Sequence, residues 1–190
     1  MKWKGIVLVV VLSIIAFSVA SAAGPINDTR HSLIGPGGYD WAEVWEKVFE
    51  IDGAEYGVSG PVYHYTYTVF NDQYEEGLWC WGMDDPRNNG AQILAFNSPE
   101  GWSSNLDCPW IPGQQMTWAV TGGDTYRIPQ YDSLDTFWII SPNRPDALYP
   151  GYAHADDSSE ISYGDISGPT PEPFSLALLA IGLPLGLLTR

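Results

Sequence analysis

Three histidines are the first side chains to weigh as catalytic or metal-binding groups in this chain. His31 falls in a Gly- and Pro-rich stretch that predicts a loop, His64 lies in a predicted strand, and His154 precedes an acidic segment. No two of them have the spacing of a shared metal site, and the chain has no Gly-x-Ser-x-Gly sequence around a nucleophilic serine. We therefore expect all three histidines to be structural or solvent-exposed.

Paired carboxylates are the second candidate for a catalytic site, because glycoside hydrolysis needs two carboxyl groups about 5 to 9.5 Å apart. Adjacent acidic pairs occur at residues 75–76, 84–85 and 156–157. All three pairs fall in predicted turns, and neighbours on a strand point to opposite faces, so adjacency does not bring two carboxyls into one cleft. Solvated turn acids are the favoured interpretation. A secreted, carboxylate-dependent glycoside hydrolase is kept as an alternative function.

Asp84, Asp85 and Asn88 offer hard oxygen ligands around a turn that ends at Gly90. Oxygen ligands of this kind suit Ca²⁺, but the spacing lacks the regular alternation and the distal Glu of an EF-hand. We expect no cofactor and no bound metal, with calcium at these three residues as the alternative.

The chain contains nine tryptophans, and exposed Trp and Tyr rings are the groups on which carbohydrate-binding sheets stack sugars. Trp102 and Trp110 lie in a long predicted connection, so they are the tryptophans expected to be exposed. A carbohydrate-binding module that uses these two residues and strand tyrosines is a second alternative function. Four other tryptophans occupy alternating strand positions and would fill a core equally well: Trp79, Trp81, Trp118 and Trp138.

Cys80 and Cys108 are the only cysteines, and neither belongs to a Cys-x-x-Cys motif or a Cys/His metal quartet. After export to an oxidising compartment a single disulfide between them is expected. Two unpaired, buried thiols are the alternative.

Strands dominate the predicted body. In residues 62–70 apolar and polar residues alternate, with Tyr63, Tyr65, Tyr67 and Val69 on one face. Further strands are predicted at 78–83, 91–96, 115–121, 125–128, 133–141 and 147–154.

Three segments of the body are predicted to lack strands. Residues 40–50 carry apolar side chains at i, i+3, i+4, i+7 and i+8, which predicts one short helix. Residues 27–38 predict a loop, and residues 164–173 predict a linker. The expected fold is mainly β, a single antiparallel β-sandwich or barrel-like domain with one short N-terminal helix.

The N-terminus has the composition of a secretory leader. Lys2 and Lys4 precede an apolar run at residues 5–17, which is too short to span a bilayer comfortably. Small residues then follow, and they predict cleavage after Ala22 or Ala23, with Ala20 and Ala22 in the small-x-small positions. A retained membrane anchor is the alternative.

The C-terminus joins Pro171, Glu172 and Pro173 to an apolar run at residues 174–188 and a terminal Arg190. As a helix this run measures about 22 Å, less than the bilayer hydrocarbon thickness of about 30 Å. The tail resembles the PEP-CTERM sorting signal of exported bacterial proteins. That resemblance implies a C-terminal sorting helix that enters the inner membrane transiently and is removed by an exosortase-like membrane protease. The tail departs from the family in having one basic residue, Arg190, where several are usual.

Three regions follow from these patterns: a signal peptide at 1–22, a β-rich extracytoplasmic domain at 23–168 and a sorting segment at 169–190. The formal net charge of −15 disfavours nucleic acid as a partner. The sorting resemblance leads us to expect an exported, non-enzymatic surface or extracellular-matrix protein. Its expected surroundings are exopolysaccharide or biofilm at the cell surface or outside the cell.

Overall fold

The computed structural model describes residues 24–104, 115–155 and 160–170. Within this part the chain forms ten strands and three short 3₁₀ turns, at Gly53–Tyr56, Pro86–Asn89 and Asp124–Tyr126. The strands are β1 (Asn27–Ile34), β2 (Asp40–Asp52), β3 (Pro61–Asn71), β4 (Cys80–Asp84), β5 (Ala95–Asn97), β6 (Trp102–Ser104), β7 (Gln115–Val120), β8 (Asp132–Ser141), β9 (Ala147–His154) and β10 (Ile161–Gly168).

All ten strands belong to one sheet, in the order β5-β8-β3-β2-β1-β10-β9-β4-β7-β6. Every pairing is antiparallel. The edge strands β5 and β6 come together across a seam, where Ser98 Oγ donates to Trp102 O at 3.0 Å and Trp118 Nε1 donates to Asn97 O at 2.9 Å. The sheet therefore curls almost into a barrel, and the prediction of a mainly β, antiparallel fold is confirmed.

The interior of the barrel is filled by aromatic rings. Trp81 and Trp118 stack with ring centroids 4.5 Å apart and an interplanar angle of 11°. Phe137 meets Trp81 edge-on at 5.2 Å, and Tyr67 lies 5.5 Å from Trp81. Offset stacks and edge contacts of this kind are the favoured aromatic geometries, so this cluster holds the strands on opposite sides of the barrel together.

The strand β3 confirms the alternation read from the sequence. Tyr63, Tyr65, Tyr67 and Val69 are all buried against the core, with exposed fractions of 4% or less. The residues between them are only partly buried. Period-two alternation predicted this strand because one face of it is buried.

The helix predicted at residues 40–50 is wrong, because this segment forms β2. Its full length pairs with β3, from Ala42 opposite Asn71 to Asp52 opposite Pro61, and its other edge pairs with β1. The inner face carries Ala42, Val44 and Val48. The apolar residues that suggested a helical stripe lie on both faces of the strand, since its aromatic side chains point to the outer face.

Four further predictions are corrected by the structure. The predicted loop at 27–38 contains β1, and the predicted linker at 164–173 begins inside β10. Residues 125–128 form no strand; instead they overlap the 3₁₀ turn Asp124–Tyr126 and end in an isolated bridge between Leu78 and Ile128. The strand predicted at 91–96 is reduced to β5. The misjudged strands have polar or glycine residues at inner positions, so hydrophobic periodicity does not mark them.

Both predicted terminal segments, the leader at 1–22 and the apolar tail, lie outside the described residues. In the part of the chain that the structure describes, no helix is long and apolar enough to cross a membrane.

Candidate functional site

Glu46 is a carboxylic acid in the interior of the sheet. It occupies an inner position of β2, opposite Thr29 of β1 and Tyr67 of β3, and its exposed fraction is 0%. Its Oε1 accepts hydrogen bonds from Asn27 Nδ2 at 2.8 Å and from Ser167 Oγ at 2.9 Å. These two bonds supply part of the solvation that burial removes.

Ser167 also contacts a buried imidazole. His31 is 8% exposed, and its Nε2 lies 3.0 Å from Ser167 Oγ. The Ser167 main-chain N–H donates to the same Nε2 at 3.4 Å, so this nitrogen acts as an acceptor. The Asn27 carbonyl oxygen, Oδ1, accepts a hydrogen bond from Thr29 Oγ1 at 2.9 Å. We refer to Asn27, Thr29, His31, Glu46 and Ser167 as the Glu46 cluster.

The cluster holds two titratable groups with shifted pKa values. Burial raises the pKa of Glu46 from 4.5 to about 7, although the hydrogen bonds from Ser167 and Asn27 oppose the shift. Burial lowers the pKa of His31, although a main-chain hydrogen bond and the charge of Asp165 both act to raise it. Near neutral pH the cluster therefore combines a neutral imidazole with a carboxyl group that can exist in either form.

Two polar atoms in and beside the cluster have no hydrogen-bond partner among the described residues. Glu46 Oε2 and Tyr67 Oη are both buried and unpaired. Since Glu46 and Tyr67 are opposite each other on neighbouring strands, burial and the charge of Glu46 both raise the pKa of the Tyr67 phenol.

The order of groups in the cluster differs from that of a serine hydrolase. There the histidine lies between the serine and the acid, whereas here Ser167 lies between His31 and Glu46. Glu46 is fully buried, whereas Asn27 and Thr29 at the start of β1 are of intermediate burial.

Sequence reasoning missed this cluster. The sequence patterns predict a loop at His31, a helix at Glu46 and a linker at their partner Ser167. The one available signal was the alternation of β2, in which Glu46 takes the inner position between Val44 and Val48. Residues two apart on a strand share one face. Since Val44 and Val48 are expected to face the core, this alternation indicates that Glu46 faces the core as well.

The outer side of the sheet carries a second feature, in which threonines lie between half-buried rings. In the register, Thr66 lies opposite Trp138, and Thr68 lies opposite Trp45. We define the outer aromatic face by its four rings: Trp45, Phe49, Phe70 and Trp138, all of intermediate burial.

This outer face carries both cationic and acidic side chains. Lys47 Nζ lies 3.8 Å from the ring centroid of Trp45, and the Arg30 guanidinium lies 4.7 Å from it. Arg30 also forms an ion pair with Glu43 at 2.8 Å, and Trp45 Nε1 donates to Asp28. Two cations therefore lie over the Trp45 ring, whereas the Trp138 ring meets the His64 ring edge-on, with centroids 5.5 Å apart.

A shallow groove of about 210 Å³ lies between the Thr125–Pro129 segment and the start of β8. It brings Glu100 and Asp132 to one depression, and Tyr126 Oη donates to Glu100 at 3.4 Å. Typical small-molecule pockets measure about 300 to 1,000 Å³, so the groove is small for a ligand site.

Trp102 does not have the predicted exposure. Its exposed fraction is 5%, its Nε1 donates to Tyr126 O at 2.8 Å, and its ring meets Phe137 edge-on at 5.2 Å. The prediction that Trp102 is an exposed sugar-stacking residue is therefore wrong, because the residue pairs into the sheet as part of β6 and fills the core. Trp110 lies outside the described residues.

In the acidic turn at residues 84–90, the carboxylate of Asp85 binds Arg87 of the same turn. Asp85 accepts the main-chain N–H of Arg87 at 2.9 Å and binds its guanidinium through both carboxylate oxygens, at 2.9 and 2.6 Å. Asp84 is exposed at the end of β4, and Asn88 lies in the following 3₁₀ turn. Among the described residues no group of three or more His, Cys, Asp or Glu side chains could hold a metal ion, and calcium at Asp84, Asp85 and Asn88 stays a prediction.

The remaining residues that the sequence indicates as functional lie partly inside and partly outside the described part of the chain. Cys80 is buried on the outer side of β4 against Ala119 and Tyr152, while Cys108 lies outside the described residues, so the disulfide stays a prediction. His154 is fully buried beside Trp79, with ring centroids 5.4 Å apart. The residues predicted for processing also lie outside the described part: Ala20, Ala22, Ala23, Pro171, Glu172, Pro173 and Arg190.

By its fold, the described part of the chain is an all-β domain built from one antiparallel sheet that nearly closes into a barrel. Comparison with known proteins finds no matching family model, no matching curated protein and no matching solved structure.

Proposed function

We propose that the chain is an exported, non-enzymatic surface or extracellular-matrix protein, sorted by an exosortase-type protease through its C-terminal tail. The observation that carries the proposal is the sequence of the tail, in which Pro171, Glu172 and Pro173 precede a short apolar run. The leader-like residues at the other end support export, and the abundant acidic residues support solubility outside the cell.

The arrangement of the first and last described strands suits presentation from one end. β1 and β10 are antiparallel neighbours, with Ile34 opposite Tyr163. The beginning of β1 and the end of β10 consequently lie at the same end of the barrel. A membrane-directed segment after β10 would leave the opposite end of the domain facing away from the membrane, where it could contact matrix polymers.

Intact masses of the protein from the medium and from the envelope test the sorting proposal. In a strain with an active exosortase, the wild-type chain should lose both terminal segments, whereas Glu172→Ala should keep its tail and accumulate in the membrane fraction. Glu75→Ala changes an exposed acid in a turn and serves as the matched control. Identical masses and distributions for wild type and Glu172→Ala would contradict the proposal.

A carbohydrate-binding role is the second candidate, and the outer aromatic face favours it. Trp138 presents a half-buried ring beside Thr66 on a sheet surface, which is the arrangement needed to stack a sugar ring and bond its hydroxyls. Glu43 pairs with Arg30, and Asp28 lies opposite Lys47 in the strand register. The face therefore suits a neutral polysaccharide better than an anionic one.

Titration with the neutral exopolysaccharide of the producing cells tests this role. Trp138→Ala should weaken binding about tenfold, since loss of one aromatic stack corresponds to roughly 1.4 kcal/mol. Tyr163→Ala removes an aromatic residue that is 54% exposed on β10 and should leave binding unchanged. Equal affinities for wild type and Trp138→Ala would remove the outer aromatic face as the binding surface.

A further inference from the structure

The Glu46 cluster joins the first and last strands of the described sheet through reactive side chains. Asn27 and Thr29 belong to β1, Ser167 belongs to β10, and Glu46 of β2 lies between them. The Asn27 amide nitrogen and the Ser167 hydroxyl both bond to the same oxygen, Glu46 Oε1. The amide and the hydroxyl are thus no farther apart than those two hydrogen bonds allow.

We propose that Ser167 and Asn27 react within the folded chain to form an ester cross-link between β10 and β1, with release of ammonia. A bond forms between Ser167 Oγ and the Asn27 side-chain carbonyl carbon, and the bond between that carbon and Asn27 Nδ2 breaks. No atom is oxidised or reduced.

His31 is the base for this reaction. Its Nε2 lies 3.0 Å from Ser167 Oγ and accepts the Ser167 main-chain N–H. The hydroxyl proton is donated to Glu46 Oε1 in the structure, so the O–H must rotate about the Cβ–Oγ bond towards Nε2, which then takes the proton as the oxygen attacks. Burial lowers the pKa of His31, which keeps the imidazole in the neutral form that a base requires.

Glu46 is the acid that assists the leaving group. Its Oε1 accepts a hydrogen bond from Asn27 Nδ2 at 2.8 Å, and burial raises the pKa of the carboxyl group to about 7, so the protonated form is present near neutral pH. Attack of the Ser167 oxygen makes the Asn27 nitrogen basic; a proton on Glu46 Oε1 then passes across this contact to the nitrogen, which leaves as ammonia. The proton held by His31 then returns to the Glu46 carboxylate, so both groups end in their starting state.

Thr29 stabilises the intermediate. Its hydroxyl donates to Asn27 Oδ1 at 2.9 Å, and this is the oxygen on which negative charge develops after attack. Low exposure at Ser167, 7%, then protects the product from hydrolysis. Ammonia is drawn off by protonation and dilution in the surrounding water.

The product would fasten the start of β1 to the end of β10. These two positions lie at the end of the barrel from which the tail departs, so tension on the tail would reach β1 directly without unravelling β10. The reaction needs only the folded domain and does not depend on the proposed sorting or carbohydrate binding.

Mass spectrometry of the purified, folded protein, with both termini identified and any disulfide reduced, tests the cross-link. The wild-type mass should be lower than the sequence mass by one ammonia, about 17 Da. Trypsin should yield the peptide that ends at Arg30 joined to the peptide that contains Ser167. Hydroxylamine, which cleaves esters, should separate the two peptides.

Variants distinguish the ester from other losses of ammonia. Ser167→Ala and Glu46→Gln should restore the full mass, while Ser162→Ala, which changes another buried serine of β10, should keep the deficit. Cyclisation of Asn27 onto its own backbone would also remove about 17 Da, but that deficit would persist in Ser167→Ala and join no peptides.

Three results would overturn the proposal. They are a wild-type chain of full mass, a mass about 1 Da higher from hydrolysis of Asn27, and a deficit without joined peptides. Because the joined peptides are sought in the wild-type chain itself, the proposal stays testable even if a variant fails to fold.

Discussion

Glu46 is a carboxyl group whose hydrogen-bond partners, Asn27 and Ser167, are both neutral. The phenols of Tyr65 and Tyr67 face it from β3, and the charge of Glu46 helps to raise their pKa values. His31 of β1 contacts Ser167, which in turn contacts Glu46. The charge of Asp165 acts on His31 and tends to raise its pKa. Burial raises the pKa of Glu46 by more than the two hydrogen bonds lower it. The protonated form is therefore more favoured in the folded chain than in the unfolded chain.

This preference gives the first prediction. The pKa of Glu46 is about 7 in the folded chain, against 4.5 without its surroundings. As pH rises from 4.5 to 7 the unfolded chain loses this proton before the folded chain does. Stability should therefore fall across that window and stay lower above it, by about 3 kcal/mol for a shift of this size. Urea unfolding at pH 5 and pH 8 measures the change.

Glu46→Gln removes the titrating group and should lose this pH dependence. The comparison uses the difference between pH 5 and pH 8 within each variant, because loss of a cross-link would alter stability equally at both pH values. His31 titrates in wild type and variant alike, so its contribution cancels. An equal fall in stability for Glu46→Gln would show that another group is responsible.

Among the elements, β10 is the one whose assignment departs most from sequence expectation. Its composition, with glycine and polar residues, is typical of a linker, yet it pairs along its whole length with β9. Gly164 of β10 lies close to β1, since a Cβ at this position would be 2.3 Å from Ser32 O. Only glycine allows the two backbones to approach so closely.

The second prediction follows from that approach. Gly164→Ala should destabilise the protein by about 2 to 4 kcal/mol, because the clash is with backbone and the strands must separate. Gly24→Ala is the matched control, since a Cβ there meets no atom within 4 Å. Thermal unfolding of the mature chains, checked by mass for correct cleavage, gives the comparison. A neutral Gly164→Ala would mean that β10 does not pack against β1 as described.

How far the sequence could predict these elements depends on which side chains face inward. In β3 the inner residues are aromatic or aliphatic, so the alternation was visible. In β1 the inner positions include Asn27, Thr29 and His31, which carry no hydrophobic signal. In β2 apolar residues occupy both faces, and a period near 3.6 fits them as well as a period of two.

The Glu46 cluster could not be predicted for a related reason. Its contacts join residues 19 positions apart, Asn27 and Glu46, and 136 positions apart, His31 and Ser167. Such pairs are brought together only by strand order and register. The sequence does contain the reactive side chains, but local pattern alone does not tell which of them meet.

At the scale of the whole molecule, the dominant feature is charge. The formal net charge is −15. Three ion pairs occur in the described part of the chain, Arg30–Glu43, Arg87–Asp85 and Arg127–Asp124. Each has at least one partner exposed to solvent, and surface pairs contribute only about 0 to 1 kcal/mol each. Acidic side chains far outnumber basic ones, so repulsion among carboxylates opposes the folded state.

The third prediction is that salt stabilises the folded protein, because salt screens this repulsion. Raising NaCl from 10 to 500 mM shortens the Debye length from about 30 Å to roughly 4 Å. At pH 7.5 this should raise the melting temperature by about 3 to 5 °C, because net repulsion outweighs the few local pairs that salt also weakens. Near the isoelectric point, pH 4.2, positive and negative charges balance and the same salt should give little or no increase. Calorimetry at both pH values makes the comparison, and a melting temperature that falls with salt at pH 7.5 would mean that local ion pairs, rather than net charge, control the electrostatic stability of this domain.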